Sequence, residues 1–323
     1  MVALTLGLLA APLVGAGQPR VRVPRIGYLS ASSRKDLDAQ QRLAAFQQGL
    51  DELGYAKGKN IAIEERWAEE KWDRLPDLAS DLVRLKVDVI VTGIVPAIQA
   101  AQRATTTIPI VMAIVADPVG SGLVTSIARP GGNITGLSMI ASDVVGKQLE
   151  LLRDAVPRIS RVAVLSNPGN PGNAPQVRAA ETAARALHMH LQLVAVRAPS
   201  EIDQAFATIT AGRADALLLA VDAMLLSRRQ RIGQLAVTHR LPSVSGARQY
   251  AEGGALLTYG VNAAALYRRA ATYVDKILKG AKPGDLPIEQ PTQFDLVINM
   301  KTARALRLTI APSLLLRADQ IIE

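Results

Sequence analysis

The 323-residue sequence contains no cysteine. Disulfides, thiolate metal sites, cysteine nucleophiles and a cysteine-linked lipid anchor are therefore excluded. It has three histidines, and His188 and His190 sit two apart, so no metal site built from imidazoles is expected. Aromatic residues make up only 3% of the chain against an apolar total of 49%, so the core must be largely Ala, Leu, Val and Ile. Catalytic signatures are missing as well. There is no G-x-S-x-G elbow, no G-x-x-x-x-G-K-S/T phosphate loop and no H-E-x-x-H. The glycine-rich spots at 120–122 and 130–132 fit no dinucleotide fingerprint. No enzyme and no cofactor is read from this chain.

Charge of one sign is not scarce: the formal net charge is +9. Lys and Arg are scattered, and the densest cluster is Arg228-Arg229-Gln230-Arg231. No aromatic side chains interleave with it, as a single-strand binder would require. The charge reads as a solvated surface, with no nucleic-acid partner.

One long apolar run is present, Met1 to Ala16, and it carries no charge. It is too short for a stable membrane span. It resembles the apolar segment of a secretory signal, with Val14-Gly15-Ala16 as the cleavage site, although a basic start is missing. Residues 1–24 are expected to be a signal peptide and linker, which predicts a periplasmic protein.

From residue 25 onward, strand-like and helix-like segments alternate, as in a doubly wound α/β fold with parallel sheets. The central stretch is 108–137. Ile108–Ala116 predicts a strand buried on both faces, Gly122–Ala128 a helix, and Asn133 the start of another strand. Pro291 makes 287–299 an extended connector rather than a central strand. Gly and Pro gather at strand ends, which favours two lobes joined by several crossings. Lobe one is expected to comprise 25–138 plus 260–292, and lobe two 139–259 plus 293–323.

Ligands of such sheets bind at the carboxyl ends of the strands. The residues there are Ser30, Ser32, Thr92, Asp117, Ser138, Asn167, Asn173, Asp222, Ser245 and Tyr259, with Ser33 and Asn170 beside them. Hydroxyls, amides and two carboxylates suit a small polar ligand. Hydroxyls and helix N-termini of the first lobe would hold an acidic or carbonyl group. Asp222 is expected to receive an amine or hydroxyl, and Asp117 to be partly structural. Each of these residues has an alternative reading as a cap or turn residue.

Several segments carry a family resemblance. They are RIGYLS (25–30), the run 46–93 ending in VDVIVTG, the run 105–138 containing ADPVGSG and ARPGGNITG, and SNPGNPGN (166–173). ADALLLAVDAM (214–224), EGGALLTYG (252–260) and the run 277–319 extend it. Over nearly all of 25–323 the chain resembles substrate-binding proteins of ABC transporters, in the family with tryptophan- and tyrosine-binding members. The resemblance implies a type I periplasmic binding fold with two Rossmann-like lobes and three hinge crossings. It also implies a small-molecule ligand, amino-acid-like or related, held between the lobes of a monomer and delivered to permease subunits. A ligand sensor or regulator on the same fold is the alternative. Family members tend to read Gly-Thr-Pro or Gly-Ser-Pro after the third strand. Here the run is Gly93-Ile94-Val95-Pro96, without that hydroxyl.

Overall fold

The computed structural model describes residues 22–323, so the expected signal segment and its cleavage site lie outside the described residues. Five parallel strands form the first sheet: β1 (Arg25–Ser30), β2 (Ala62–Trp67), β3 (Val89–Gly93), β4 (Ile110–Ile114) and β5 (Ile134–Gly136). Their order is β2-β1-β3-β4-β5. The helices between them are α1 (Leu37–Glu52), α2 (Leu75–Arg84) and α3 (Val95–Ala104). Successive strand residues bury on opposite faces. Ile26, Tyr28, Val89, Val91 and Val111 pack towards α1. Leu29, Ile90, Ile110 and Met112 pack towards α2 and α3. A continuous apolar run such as Val89–Val91 follows from burial on both faces.

The second sheet contains β6 (Arg161–Ser166), β7 (His190–Ala195), β8 (Ala216–Leu219), β9 (Ser243–Ser245), β10 (Leu257–Gly260), β11 (Asp295–Asn299) and β12 (Gln320–Ile322). Its order is β12-β11-β10-β9-β8-β6-β7. It is covered by α4 (Val145–Ala155), α5 (Asn173–Ala186), α6 (Ile202–Ala211), α7 (Ala223–Ser227), α8 (Arg229–Thr238) and α9 (Gln249–Glu252). The long helix α10 (Ala263–Leu278) follows β10 in sequence but packs on α1 and the first sheet. The chain closes with α11 (Met300–Ala305) and α12 (Pro312–Leu315). It passes between the sheets three times, after β5, after β10 and before β11, giving two α/β lobes.

Three local expectations need correction. Residues 122–128 form turns rather than a helix. Asp117 accepts from the Gly120 N–H at 2.7 Å, and Gly122 lies at φ +73, so the chain is wound into successive turns before helical bonds form. Second, the segment after Pro291 is not only a connector. Beyond the proline, β11 pairs antiparallel with β10 and parallel with β12, so this sheet is mixed. Third, β12 and the short helices α7 and α9 were not foreseen, since three to five residues carry little periodic signal.

Glycine is required at Gly136. Its φ is +138, and a Cβ there would collide with the backbone of Met112 on the neighbouring strand. No helix among the described residues is long and apolar enough to cross a membrane.

Candidate functional site

The carboxyl ends of the two sheets face each other across a cleft of about 1010 Å³, open solvent at its mouth included. The first lobe contributes the end of β1 (Leu29, Ser30, Ala31, Ser32) and the β3–α3 turn (Gly93, Ile94, Val95). Asn170 and Asp222 lie on the opposite wall, from the turns after β6 and β8. The space is mainly apolar, with charges at few points.

Each wall is built by local chemistry. β1 ends at Ser30, whose Oγ accepts from the Ser32 N–H at 3.2 Å. Asp36 then caps α1 by accepting from the Asp38 N–H at 3.0 Å. At the end of β3 the chain turns through Ile94 at φ +60, an unfavourable conformation for a β-branched residue. It is held there at both ends: the Ile94 N–H donates to the Ile114 carbonyl at 3.0 Å, and its own carbonyl accepts from Ile98 N–H at 3.2 Å. Strain of this kind gathers at ligand clamps, and Ile94 lies in the cleft wall. Close approach explains Gly93: a Cβ would sit 2.6 Å from Tyr267 Oη and 2.8 Å from Ile114 Cγ2.

On the second lobe, Asp222 is 2% exposed. One carboxylate oxygen caps α7 by accepting from Leu225 N–H at 3.0 Å. The other accepts from the Asn170 side-chain amide at 2.9 Å and that of Asn167 at 3.3 Å. Burial raises the Asp222 pKa despite these donors, which act to lower it.

Of the residues expected from sequence, the structure brings Ser30, Ser32 and Asp222 to the cleft, and Asn170 with them. Asn167 stands behind Asp222 as a donor to it. The others do not line the cleft. Thr92 is fully buried and donates its hydroxyl to the Leu29 carbonyl at 2.9 Å, tying β3 to β1. Asp117 accepts from Gly120 N–H and from the Ser142 hydroxyl at 3.2 Å, so it fastens the turn after β4. Ser138 accepts from Ile140 N–H at 3.0 Å. Asn173 accepts from Asn167 N–H at 2.9 Å and donates to the Val221 carbonyl at 3.0 Å. Ser245 donates to the Leu219 carbonyl at 2.9 Å. Tyr259 stacks on Phe294, ring centroids 5.6 Å apart. In each case a backbone group or neighbouring ring nearby claims the side chain.

Sequence reasoning missed Arg42, Tyr267 and Gln249, all of which line the cleft. Arg42 lies on α1, one turn beyond its capped start, and that proximity to Ser30–Ser33 was the only available signal. Tyr267 arrives on α10, more than 200 residues from β1, and nothing local marks it. Under the cleft the scarce aromatics gather: Tyr28 has ring centroids at 6.3 Å from Phe46, 5.7 Å from Trp67 and 6.3 Å from Tyr267. Burial raises the hydroxyl pKa of both Tyr28 and Tyr267.

Two ion pairs join the lobes at the rim. Arg229 approaches Asp38 at 3.0 Å, and Arg228 approaches Glu70 at 3.3 Å. Asp38 is 9% exposed, and its burial raises its pKa against the pull of Arg229. Arg231 pairs with Asp203. Each arginine of the basic cluster thus faces a carboxylate.

A chain with two α/β lobes, three crossings and an interlobe cleft has the type I periplasmic binding fold. Residues 36–322 match the family described as ABC transporter substrate binding protein, and the chain belongs to that family. A tyrosine-binding protein of Clostridioides difficile (strain R20291) is 29% identical over 281 residues, covering 87% of this chain and 80% of that protein. The structure of an ABC domain in complex with L-Trp from Streptococcus pneumonia is 27% identical, covers 93% of this chain and 100% of that one, and superposes with a TM-score of 0.86. The ligand-free, open structure of a substrate-binding protein with adhesive properties from Clostridium difficile is 26% identical. It covers 93% and 99% of the two chains and reaches 0.70. At near-equal identity, the TM-score against the complex is higher than that against the open form.

Proposed function

We propose that this protein binds an amino-acid-like molecule between its lobes outside the cytoplasm and delivers it to the permease of an ABC transporter, without transforming it. The observation that carries this is the placement of Asp222 on one wall and Ser30 and Ser32 on the other of a single, mainly apolar cleft. A carboxylate with buried support suits an ammonium group, hydroxyls suit a carboxylate, and the apolar wall suits a side chain. A ligand touching both lobes favours the closed state over the open one, which couples binding to recognition by a permease. The tyrosine- and tryptophan-binding relatives support the ligand class. The lobe assignment fits this cycle: 25–138 plus 260–292 against 139–259 plus 293–323. It is supported by α10 packing on α1 and by β11 joining the second sheet. An exported protein losing its first 16 or so residues follows from the apolar leader, and N-terminal sequencing of the mature protein checks that step.

The test is calorimetric titration with the twenty L-amino acids, tryptophan and tyrosine first, paired with small-angle scattering. Binding accompanied by contraction of the particle is expected. Absence of binding across the panel would refute the ligand class.

A further inference from the structure

Arg42 is the only cationic side chain lining the cleft among the described residues. It is half-buried, and one guanidinium nitrogen donates to Ser32 Oγ at 3.3 Å. Its central carbon lies 6.0 Å from the Tyr267 ring centroid. A guanidinium carries five N–H donors in a planar fork, and here a single hydroxyl at long range is the side-chain acceptor it meets. Among the described residues Arg42 joins no ion pair, whereas Arg228 and Arg229 at the same rim are both paired. The carboxylates of the cleft are engaged elsewhere: Asp36 caps α1, and Asp222 serves α7, Asn167 and Asn170. The first-lobe wall therefore holds a guanidinium that, among the described residues, has one hydroxyl acceptor and no carboxylate partner.

We infer that Arg42 is the carboxylate anchor of the site, a specificity-determining residue that selects ligands with a free carboxylate. This rests on the amino-acid reading of the cleft. The fork offers two parallel N–H bonds to the two oxygens of a carboxylate, a match that a lysine lacks. The Tyr267 ring beneath holds the guanidinium by cation–π attraction. Ser32 accepts from Arg42 and so has its own O–H free to donate to the same ligand oxygen. With Asp222 on the facing wall, the cleft then presents a positive and a negative group to the two ends of a zwitterion. Neither Ser30 nor Ser32 alone would discriminate an acid from its uncharged amide, because a hydroxyl serves both.

The test compares an acid with its carboxamide: L-tryptophan against L-tryptophanamide and L-tyrosine against L-tyrosinamide, or the corresponding pair for the amino acid that wild type binds most tightly. Wild type is expected to prefer the acid by roughly 10- to 100-fold, the range for a hydrogen-bonded charge pair. Arg42→Gln should lose about that factor for the acid and little for the amide, so the ratio collapses towards one. Arg42→Lys keeps the charge without the fork and should fall between, which provides the answer if the Gln variant fails to fold. Equal weakening of acid and amide, or an unchanged ratio, would overturn the assignment while leaving the ligand class intact. Failure of wild type to bind any of the acids would remove the amino-acid reading itself, and this inference with it.

Discussion

Replacing Asp222 with alanine tests two roles that separate in the measurement. The carboxylate caps α7 and also receives the amides of Asn170 and Asn167. Those amides cannot turn round to compensate. Asn170 Oδ1 already accepts from Gly172 N–H at 3.1 Å, and Asn167 Oδ1 from Gly169 N–H at 2.9 Å. Loss of the cap costs about 1 kcal/mol. Two buried amide donors left without a charged acceptor add roughly 2–3 kcal/mol. Removing a carboxylate whose burial disfavours its charged form offsets about 1 kcal/mol. The expected net loss is about 2–3 kcal/mol, or a fall in Tm of roughly 3–5 °C for a chain of this length. Affinity for an amine-bearing ligand should fall separately, by roughly 2–5 kcal/mol. Asp222→Asn should recover part of the stability, since asparagine also caps helices, but its amide would face two other amide donors and would not recover affinity. Burial raises the Asp222 pKa. Protonation therefore favours the folded state. The stability advantage of wild type over the alanine variant is full below the ordinary carboxylate range and shrinks as pH rises through the raised value. Scanning calorimetry at acidic and neutral pH, with titration of the tightest amino acid, reads all of these. An alanine variant that melts like wild type would refute the network; a lowered Tm with unchanged affinity would refute ligand contact. A stability advantage that shrinks on acidification would refute the direction of the pKa shift.

The rim ion pair should act on closure. Arg229→Gln leaves buried Asp38 without its partner in the closed form only, so affinity should fall by about 3- to 10-fold and the unliganded particle should expand, read by titration and small-angle scattering; no change in either sinks the latch role. Thr92→Val removes a buried hydroxyl bonded to the Leu29 carbonyl and should cost about 1 kcal/mol in denaturant unfolding with affinity unaltered. A clear affinity loss there would return Thr92 to the ligand site. Gly93→Ala places a methyl group against Tyr267 Oη and Ile114, so about 1–3 kcal/mol of overpacking should appear together with weakened binding, because Tyr267 must move within the cleft wall. Wild-type affinity in that variant would show that Tyr267 does not shape the site.

Much of the architecture was legible in local pattern. Strands such as Val89–Val91 and Leu217–Leu219 announce burial on both faces by unbroken apolar residues, and parallel order follows from helices between them. The family was legible too, since its glycine- and proline-marked turns lie at strand ends where backbone geometry restricts the residue. The turn at 122–128 was misread because seven residues with an apolar pattern fit a helix or a chain of turns equally, and Gly122 decided for turns.

Which polar residues line the cleft was decided only by tertiary structure. Ser30 and Thr92 stand at the ends of adjacent strands, yet Ser30 reaches the cleft while Thr92 bonds across to Leu29. Sequence gives the hydroxyl and its place on the strand. The neighbouring strand's register decides whether a carbonyl stands within reach to claim it. Asp117 and Asp222 follow the same logic: both fasten local turns, and only the one opposite the first lobe also opens to the cleft. Arg42 and Tyr267 meet because α10 returns from the second sheet to pack on α1, a long-range contact that no local pattern encodes. Periodicity fixes elements because each residue's neighbours in sequence determine it. A site is fixed by groups distant in sequence, and these meet only when the lobes pack.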